Sequence, residues 1–278
     1  MLSVVSATQL LGTGEMLLSG VAAAFIGSLA GLGGGFIVAP ILRLVFHLSP
    51  DRAAGTSLVL VLANVASASV AFYRQGRVDV RLGVTMGLLA IPGSIIGAYL
   101  VRFAPSSLFD LLYAALLILM AFNLLRQSGR HADGAIARLP WSKERVFHDR
   151  LTGLDYRYAH SPPIAAAAGV ATGFLSSFFG IGGGVLVVPV LLRLFWMPAH
   201  IVSATSHTII LFSAPFGVLT HALQGSVVWE DALPLALGGL VGGQLGAGAS
   251  RHLADGLLVR IVAIALIAAA LSLAAEHV

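Results

Sequence analysis

Cysteine is absent from the 278 residues. That excludes a disulfide framework, a thiolate metal centre and a thiol nucleophile. Charge is scarce as well: Asp, Glu, Lys and Arg make up 10% of the chain, against roughly 25% in an ordinary globular domain. Only one of the 16 basic residues is a lysine, Lys143. No carboxylate pair and no Ser/His/Asp cluster falls inside an apolar stretch, so nothing argues for a catalytic residue or an enzyme. Apolar sequence is equally short of the carboxylates and thiolates that hold a divalent metal, and no tightly bound cofactor is expected. The first fourteen residues carry no positive charge, so no cleavable signal peptide is expected.

What the chain has in excess is apolar surface, with 58% hydrophobic residues and 32 glycines. A soluble fold of this length cannot hide that much, whereas a bilayer takes outward-facing apolar side chains as their solvent. Membrane helices also use glycine more than soluble ones do. The pI near 10 does not point to nucleic acid. The basic residues fall mostly between apolar stretches, where the positive-inside rule puts them. The fold class is therefore an all-α polytopic membrane protein.

A membrane span takes about 20 predominantly apolar residues. The first apolar stretch, 16–47, is too long for one span and too short for two; Gly31, Gly33, Gly34, Gly35 and then Pro40 interrupt it. Spans are predicted at 53–73, 82–101 and 107–125, after which residues 126–161 turn polar, with seven basic and four acidic residues. Apolar sequence returns at 162–196, broken by Gly180, Gly182, Gly183, Gly184 and Pro189. Further spans are predicted at 201–223, 232–249 and 257–274. A gapless shift of 149 residues carries the first break and Pro40 onto the second break and Pro189. The same shift takes Thr56-Ser57 to Thr205-Ser206, Gln75-Gly76 to Gln224-Gly225, and Gly93, Gly97 and Arg102 to Gly242, Gly246 and Arg251. One offset aligning rare features over this length implies two internal repeats of four hydrophobic segments. The organisation is a membrane repeat at 1–126, a hydrophilic linker at 127–161 and a second membrane repeat at 162–278. The linker reads as a solvated connector or a short interfacial helix.

If each broken segment crosses once, the repeats are parallel, and ten basic residues face six across the membrane. If each dips in and returns as a hairpin, the repeats are inverted. One face then holds thirteen basic residues, leaving Arg43, Arg52 and Arg102 on the other. The positive-inside rule favours the lopsided count, so inverted repeats with a cytoplasmic linker are expected.

Candidate chemistry centres on the breaks. Glycine permits backbone angles and close approaches that other residues do not, and a helix interruption inside lipid must line protein or water. Exposed amides at such a break can hold an anion without a buried Lys or Arg. Gly33, Gly34, Gly35, Gly182, Gly183 and Gly184 are therefore candidate binding residues. Neither run carries the GK[ST] ending of a P-loop. Gly93, Gly97, Gly242 and Gly246 read as helix-packing positions. Thr56, Ser57, Thr205 and Ser206 open the second segment of each repeat, where hydroxyls either cap a helix or donate to an oxyanion. Asn64 is a polar contact in one half only, its counterpart being Ser213. His207 stands inside a span where repeat one has Leu58. Ionisable groups there are costly and often functional, which makes His207 the candidate for proton coupling or substrate contact, against a packing role. His221 reads as interfacial, and His200 with His207 makes a poor metal site without nearby carboxylates.

The two breaks, 31–40 and 180–189, together with Ala54-Gly55-Thr56-Ser57 and Ser203-Ala204-Thr205-Ser206 at matched distance, resemble the sulfite exporter TauE/SafE family of permeases. The resemblance covers both halves. It implies an inner-membrane carrier that moves sulfite, an organosulfonate such as sulfoacetate, or a related small anion by alternating access. It also implies that the glycines approach the anion while the Thr-Ser pairs help ligate it. The alternatives are a carrier of another small solute on the same fold, or a non-transport assembly factor or intramembrane enzyme.

Overall fold

The protein is described by a computed structural model over residues 7–125, 141–150, 153–251, 263–264 and 266–271. The first half builds α1 (Ala7–Ala30), α2 (Gly35–Leu44), α3 (Pro50–Arg74), α4 (Val80–Leu100) and α5 (Ser106–Leu125). A β-hairpin of β1 (Lys143–His148) and β2 (Asp155–His160) follows. The second half builds α6 (Pro162–Phe179), α7 (Gly184–Pro189), a short π-helical turn (Val190–Leu194), α8 (Ala199–Leu223) and α9 (Trp229–Ala249). Among the described residues, seven helices are long and apolar enough to cross a membrane. The chain is thus a polytopic all-α membrane protein, as its composition implies. Of the last predicted span, 257–274, residues 263–264 and 266–271 are helical and the rest lies outside the described residues.

The long first stretch of each half resolves into a full helix, a glycine turn and a short helix. Helix α3 starts 149 residues before α8, both with 25 residues, and α4 starts 149 residues before α9, both with 21. Proline stands at N1 of α3 and of α6, where no helical hydrogen bond is lost. Helix α2 continues past Pro40, whereas α7 ends at Pro189 and passes directly into the π-helical turn. A π-turn after proline relieves the backbone bond that the ring removes.

Glycine sets how closely these helices approach. Gly93 and Gly97 of α4 lie on the Val170 and Phe174 carbonyls of α6, and Gly242 and Gly246 of α9 lie on the Val21 and Phe25 carbonyls of α1. A Cβ has no room at any of the four, so the packing role expected of them holds.

The register also gives direction. Rising numbers along α9 meet rising numbers along both α1 (Gly238 near Leu17, Gly246 near Phe25) and α3 (Gly239 near Leu60, Gly243 near Asn64). Helices α1 and α3 therefore run the same way, and α2 must bring the chain back toward the face where α1 began. The Arg43 guanidinium at the end of α2 confirms that return, bonding Asp110 at the start of α5 at 2.9 and 2.5 Å. The second half behaves alike. Helix α4 runs parallel to α6 (Gly169 near Met86, Gly93 near Val170) and to α8 (Gly83 near Thr205, Gly87 near Ile209). Arg193, past α7, bonds the Asn123 carbonyl at the end of α5.

The linker departs from its sequence reading. Residues 143–148 and 155–160 pair as antiparallel strands, Arg145 opposite Tyr158, rather than forming a connector or an interfacial helix. In β2, Asp155, Tyr156, Arg157 and Tyr158 alternate charged and aromatic residues with a period of two, which suits a strand with one face docked. Tyr158 is fully buried and its hydroxyl donates to Asp79, while Arg145 pairs with the same carboxylate at 3.2 Å. Burial beside the Asp79 charge pushes the Tyr158 phenol above its ordinary range, which keeps it a donor. Buried Asp149 lies 3.1 Å from His200, and Arg150 packs on Gly76. The hairpin thus sits across the ends of α3, α4 and α8. Residues 126–140 and 151–152 of the linker lie outside the described residues.

Candidate functional site

The glycine turns of the two halves meet each other in the middle of the packing. Gly33 and Gly34 have φ of 87° and 86°, and Gly182 and Gly183 have 97° and 72°. Only glycine takes that left-handed backbone without strain. Gly35 abuts the Gly180 carbonyl, Gly184 abuts the Gly31 carbonyl, and Gly33 faces Gly182. A side chain at Gly35 or Gly184 would drive the two turns apart.

Serines from the opposite half hold each turn. Ser57 Oγ donates to the Gly180 carbonyl at 2.8 Å, and Ser206 Oγ donates to the Gly31 carbonyl at 2.8 Å. The adjacent threonines face elsewhere. Thr56 accepts the Val228 amide at 3.0 Å and Thr205 accepts the Asp79 amide at 3.1 Å, so each ties the segment leading into α9 or α4. Of each predicted Thr-Ser pair, the structure brings the serine to a break and uses the threonine to bind a neighbouring loop. None of the backbone hydrogen bonds among the described residues uses the amides of Gly34, Gly182 or Gly183 as donor.

Asn64 and His207 converge although they come from different halves. Asn64 Nδ2 donates to the Gly33 carbonyl at 2.8 Å, and Ser28 Oγ donates to Asn64 Oδ1 at 2.7 Å. His207 Nε2 stands 3.3 Å from Ser28 Oγ, and its Nδ1 stands 2.8 Å from the Ser203 carbonyl. The Phe72 ring leans on the imidazole with centroids 5.1 Å apart, and the Arg77 guanidinium sits 5.7 Å from the Phe72 centroid. Ser28, Asn64 and His207 are all fully buried. Carbonyl acceptors fix the orientations: Asn64 must turn its amino group to Gly33, and His207 must carry its proton on Nδ1. Ser28 then has one proton and two claimants, Asn64 Oδ1 and His207 Nε2. A proton on Nε2 would complete the chain.

The 149-residue offset does not reproduce this chain at the other break. Ser177 replaces Ser28, Ser213 replaces Asn64, and Leu58 replaces His207. Ser94 bonds Ser177 at 2.6 Å and the Ser213 carbonyl at 2.9 Å. His221 is buried rather than interfacial, its Nε2 lying 2.9 Å from the Ser177 carbonyl. Apolar neighbours on α8 gave no hint of that contact. Ser28 was missed as well, although a signal was present: the 149-residue offset pairs it with Ser177, three positions before each break. Among the described residues, no three His, Asp or Glu side chains cluster in a way that could hold a metal ion.

The model of the family described as sulfite exporter TauE/SafE matches residues 16–273. A probable membrane transporter protein, YunE of Bacillus subtilis, is 34% identical over 260 residues, covering 91% of this chain and 93% of that one. YdhB of the same organism, also a probable membrane transporter protein, is 30% identical over 84% of this chain and 86% of its own length. A probable membrane transporter protein of Xylella fastidiosa is 30% identical over 88% of this chain and 91% of its own. No solved structure matches. With a family model spanning nearly the whole chain and relatives of matching length, this multi-pass inner-membrane protein belongs to the sulfite exporter TauE/SafE family of membrane transporters.

Proposed function

We propose that this chain is a secondary transporter that moves a small sulfur-containing oxyanion, sulfite or an organosulfonate such as sulfoacetate, by alternating access between two inverted repeats. The observation that carries the reading is the meeting of two glycine turns deep in the protein, lined by hydroxyls and unused amides. Such a surface offers donors without fixed charge, which suits an anion that must bind and leave. The shared helix boundaries at an offset of 149, and the return of each short helix to its starting face, support inverted repeats. The hairpin face, with Arg74, Arg77, Arg81 and the linker, is then cytoplasmic.

Proton coupling is assigned to His207. Its support is the proton count in the chain Ser203–His207–Ser28–Asn64–Gly33, where a proton added at His207 Nε2 lets Ser28 donate wholly to Asn64. Protonation state and the hold on the Gly33 turn are thereby linked.

Counterflow in proteoliposomes tests the reading: unlabelled sulfite inside, labelled sulfite outside, with sulfoacetate, sulfate and chloride as competitors. Saturable exchange, blocked by one sulfur oxyanion, is the expected result. Exchange blocked equally by chloride, or none at all from folded and inserted protein, overturns the substrate assignment. His207→Ala is expected to flatten the dependence of exchange on pH, and an unchanged profile removes His207 from the coupling.

A further inference from the structure

The two breaks are packed by different side chains. In the first, Gly27 presses on the backbone of Gly33 and Gly34 so closely that no side chain fits between them, and Gly34 in turn lies on Ala23 and Ala24. The 149-residue offset places Thr172 on Ala23 and Ser176 on Gly27. In the second half these two side chains, one helical turn apart on α6, pack against Gly183: a Cβ there would lie 2.7 Å from the Thr172 methyl and 3.2 Å from Ser176 Cβ. Both residues are fully buried, and neither hydroxyl has a hydrogen-bond partner among the described residues. Buried hydroxyls are seldom left unmade, because losing water without gaining a partner destabilises the fold. Two of them one helical turn apart, packed by methyl and Cβ against the Gly183 turn, form an unfilled pair of donors, where the matched positions at the first break, Ala23 and Gly27, offer no hydroxyl.

We infer that the solute is held on the second break, with the Thr172 and Ser176 hydroxyls donating to it beside Gly183. The inference rests on the transport reading above and assigns its binding face. The ligand class follows from the donors. Two hydroxyls one helical turn apart, with no cation and no carboxylate between them, match an anion carrying at least two oxygen acceptors and disfavour a cation. The first break, tied to His207 through Asn64 and Ser28, is left with the coupling role.

Isosteric substitution separates binding from folding. Thr172→Val keeps the volume and removes only an unpaired hydroxyl, and Ser176→Ala removes the other. Both variants are expected to melt at or above the wild-type temperature without ligand, since each deletes a buried unsatisfied group. In the counterflow assay each is expected to raise the KM for sulfite about tenfold, which corresponds to about 1.4 kcal/mol. The stabilisation that added sulfite gives the wild type in a thermal melt should shrink in parallel. Thr172→Ser, which keeps a hydroxyl, should restore a KM near that of the wild type. If wild-type protein exchanges sulfite and the Thr172→Val/Ser176→Ala double variant does so with an unchanged KM, the assignment to the second break is overturned while transport stands. If wild-type protein neither exchanges nor is stabilised by sulfite, sulfoacetate or sulfate, the transport reading and this assignment fall together. A ligand-free melt that drops sharply in both single variants also overturns it, because the hydroxyls would then be structural.

Discussion

At the first break Gly27 closes on the Gly34 amide and a buried polar chain runs from Gly33 through Asn64 and Ser28 to His207, whereas at the second Thr172 and Ser176 stand unpaired and Leu58 fills the place of His207. The turn itself is alike in both: three glycines at positive φ, a serine from the opposite half on the leading carbonyl, and a short helix returning to its own face. Around the turn, the side chains differ. The two breaks can therefore differ in chemistry without disturbing the close glycine contacts that hold them together. The returning legs differ as well. The first is pinned by the Arg43–Asp110 ion pair and the second by a neutral contact from Arg193 to the Asn123 carbonyl.

Breaking that anchor should have the largest effect on stability. The Asp110 side chain is 1% exposed and that of Arg43 11%, so Asp110→Asn leaves a nearly buried guanidinium without its counter-charge. A loss of about 3 kcal/mol or more is expected, in the range seen when one member of a buried pair is removed. Arg193→Gln, which gives up one bond to a carbonyl, should cost about 1 kcal/mol. A thermal melt of the purified variants measures both, and equal losses would show that the two legs are anchored alike. Next in size is the contrast between Asn64→Leu and Ser213→Ala. The first strands the Gly33 carbonyl, at about 1–3 kcal/mol for a buried group left unpaired, while Ser28 keeps His207 Nε2 as an acceptor. The second removes a hydroxyl that bonds only carbonyls of its own helix, at 3.3 and 3.4 Å. If Ser213→Ala destabilises as much as Asn64→Leu, the asymmetry between the halves is not in the polar chain.

Much of this plan is legible in the residues. For the uninterrupted spans at 53–73, 82–101, 107–125, 201–223 and 232–249, the apolar stretches fall within three residues of the helix ends, since lipid demands unbroken apolar helices and leaves little alternative. Glycine and proline mark both breaks because no other residues tolerate those angles and contacts. The sequence reading placed Asn64 and His207 as isolated polar residues, and nothing in their spacing showed that they share one chain of bonds across 143 positions of sequence. Long-range convergence of that kind depends on which helix faces cross, and the even hydrophobicity of membrane helices hides those faces. The Thr-Ser pairs illustrate the same limit. Adjacent residues on a helix point about a quarter-turn apart, so one reaches the break and the other does not. The hairpin of the linker escaped for a different reason: its strands carry arginines and acids that read as solvated, yet Arg145, Asp149 and Tyr158 are spent on partners in the helical part.

The smallest effect expected is a pH response of that hairpin, a feature with no counterpart between the helices of the opposite face among the described residues. His160 ends β2 against the Phe195 ring, with centroids 6.2 Å apart. Burial, and then the nearby Arg145 charge, hold its imidazole below the ordinary value of 6.5, with Asp79 pulling the other way. A histidine with a depressed pKa in the docked state binds fewer protons there than when released, so docking strengthens as pH rises. Its contribution is fully present above pH 6.5 and is lost as pH falls through the lower, docked value. Hydrogen exchange at the amides of β1 and β2 should therefore accelerate between pH 7 and pH 5, after correction for the intrinsic rate. His160→Gln should remove part of that acceleration and leave the exchange of α3 and α8 unchanged. If the variant opens with the same pH dependence as the wild type, His160 is not the source of the response.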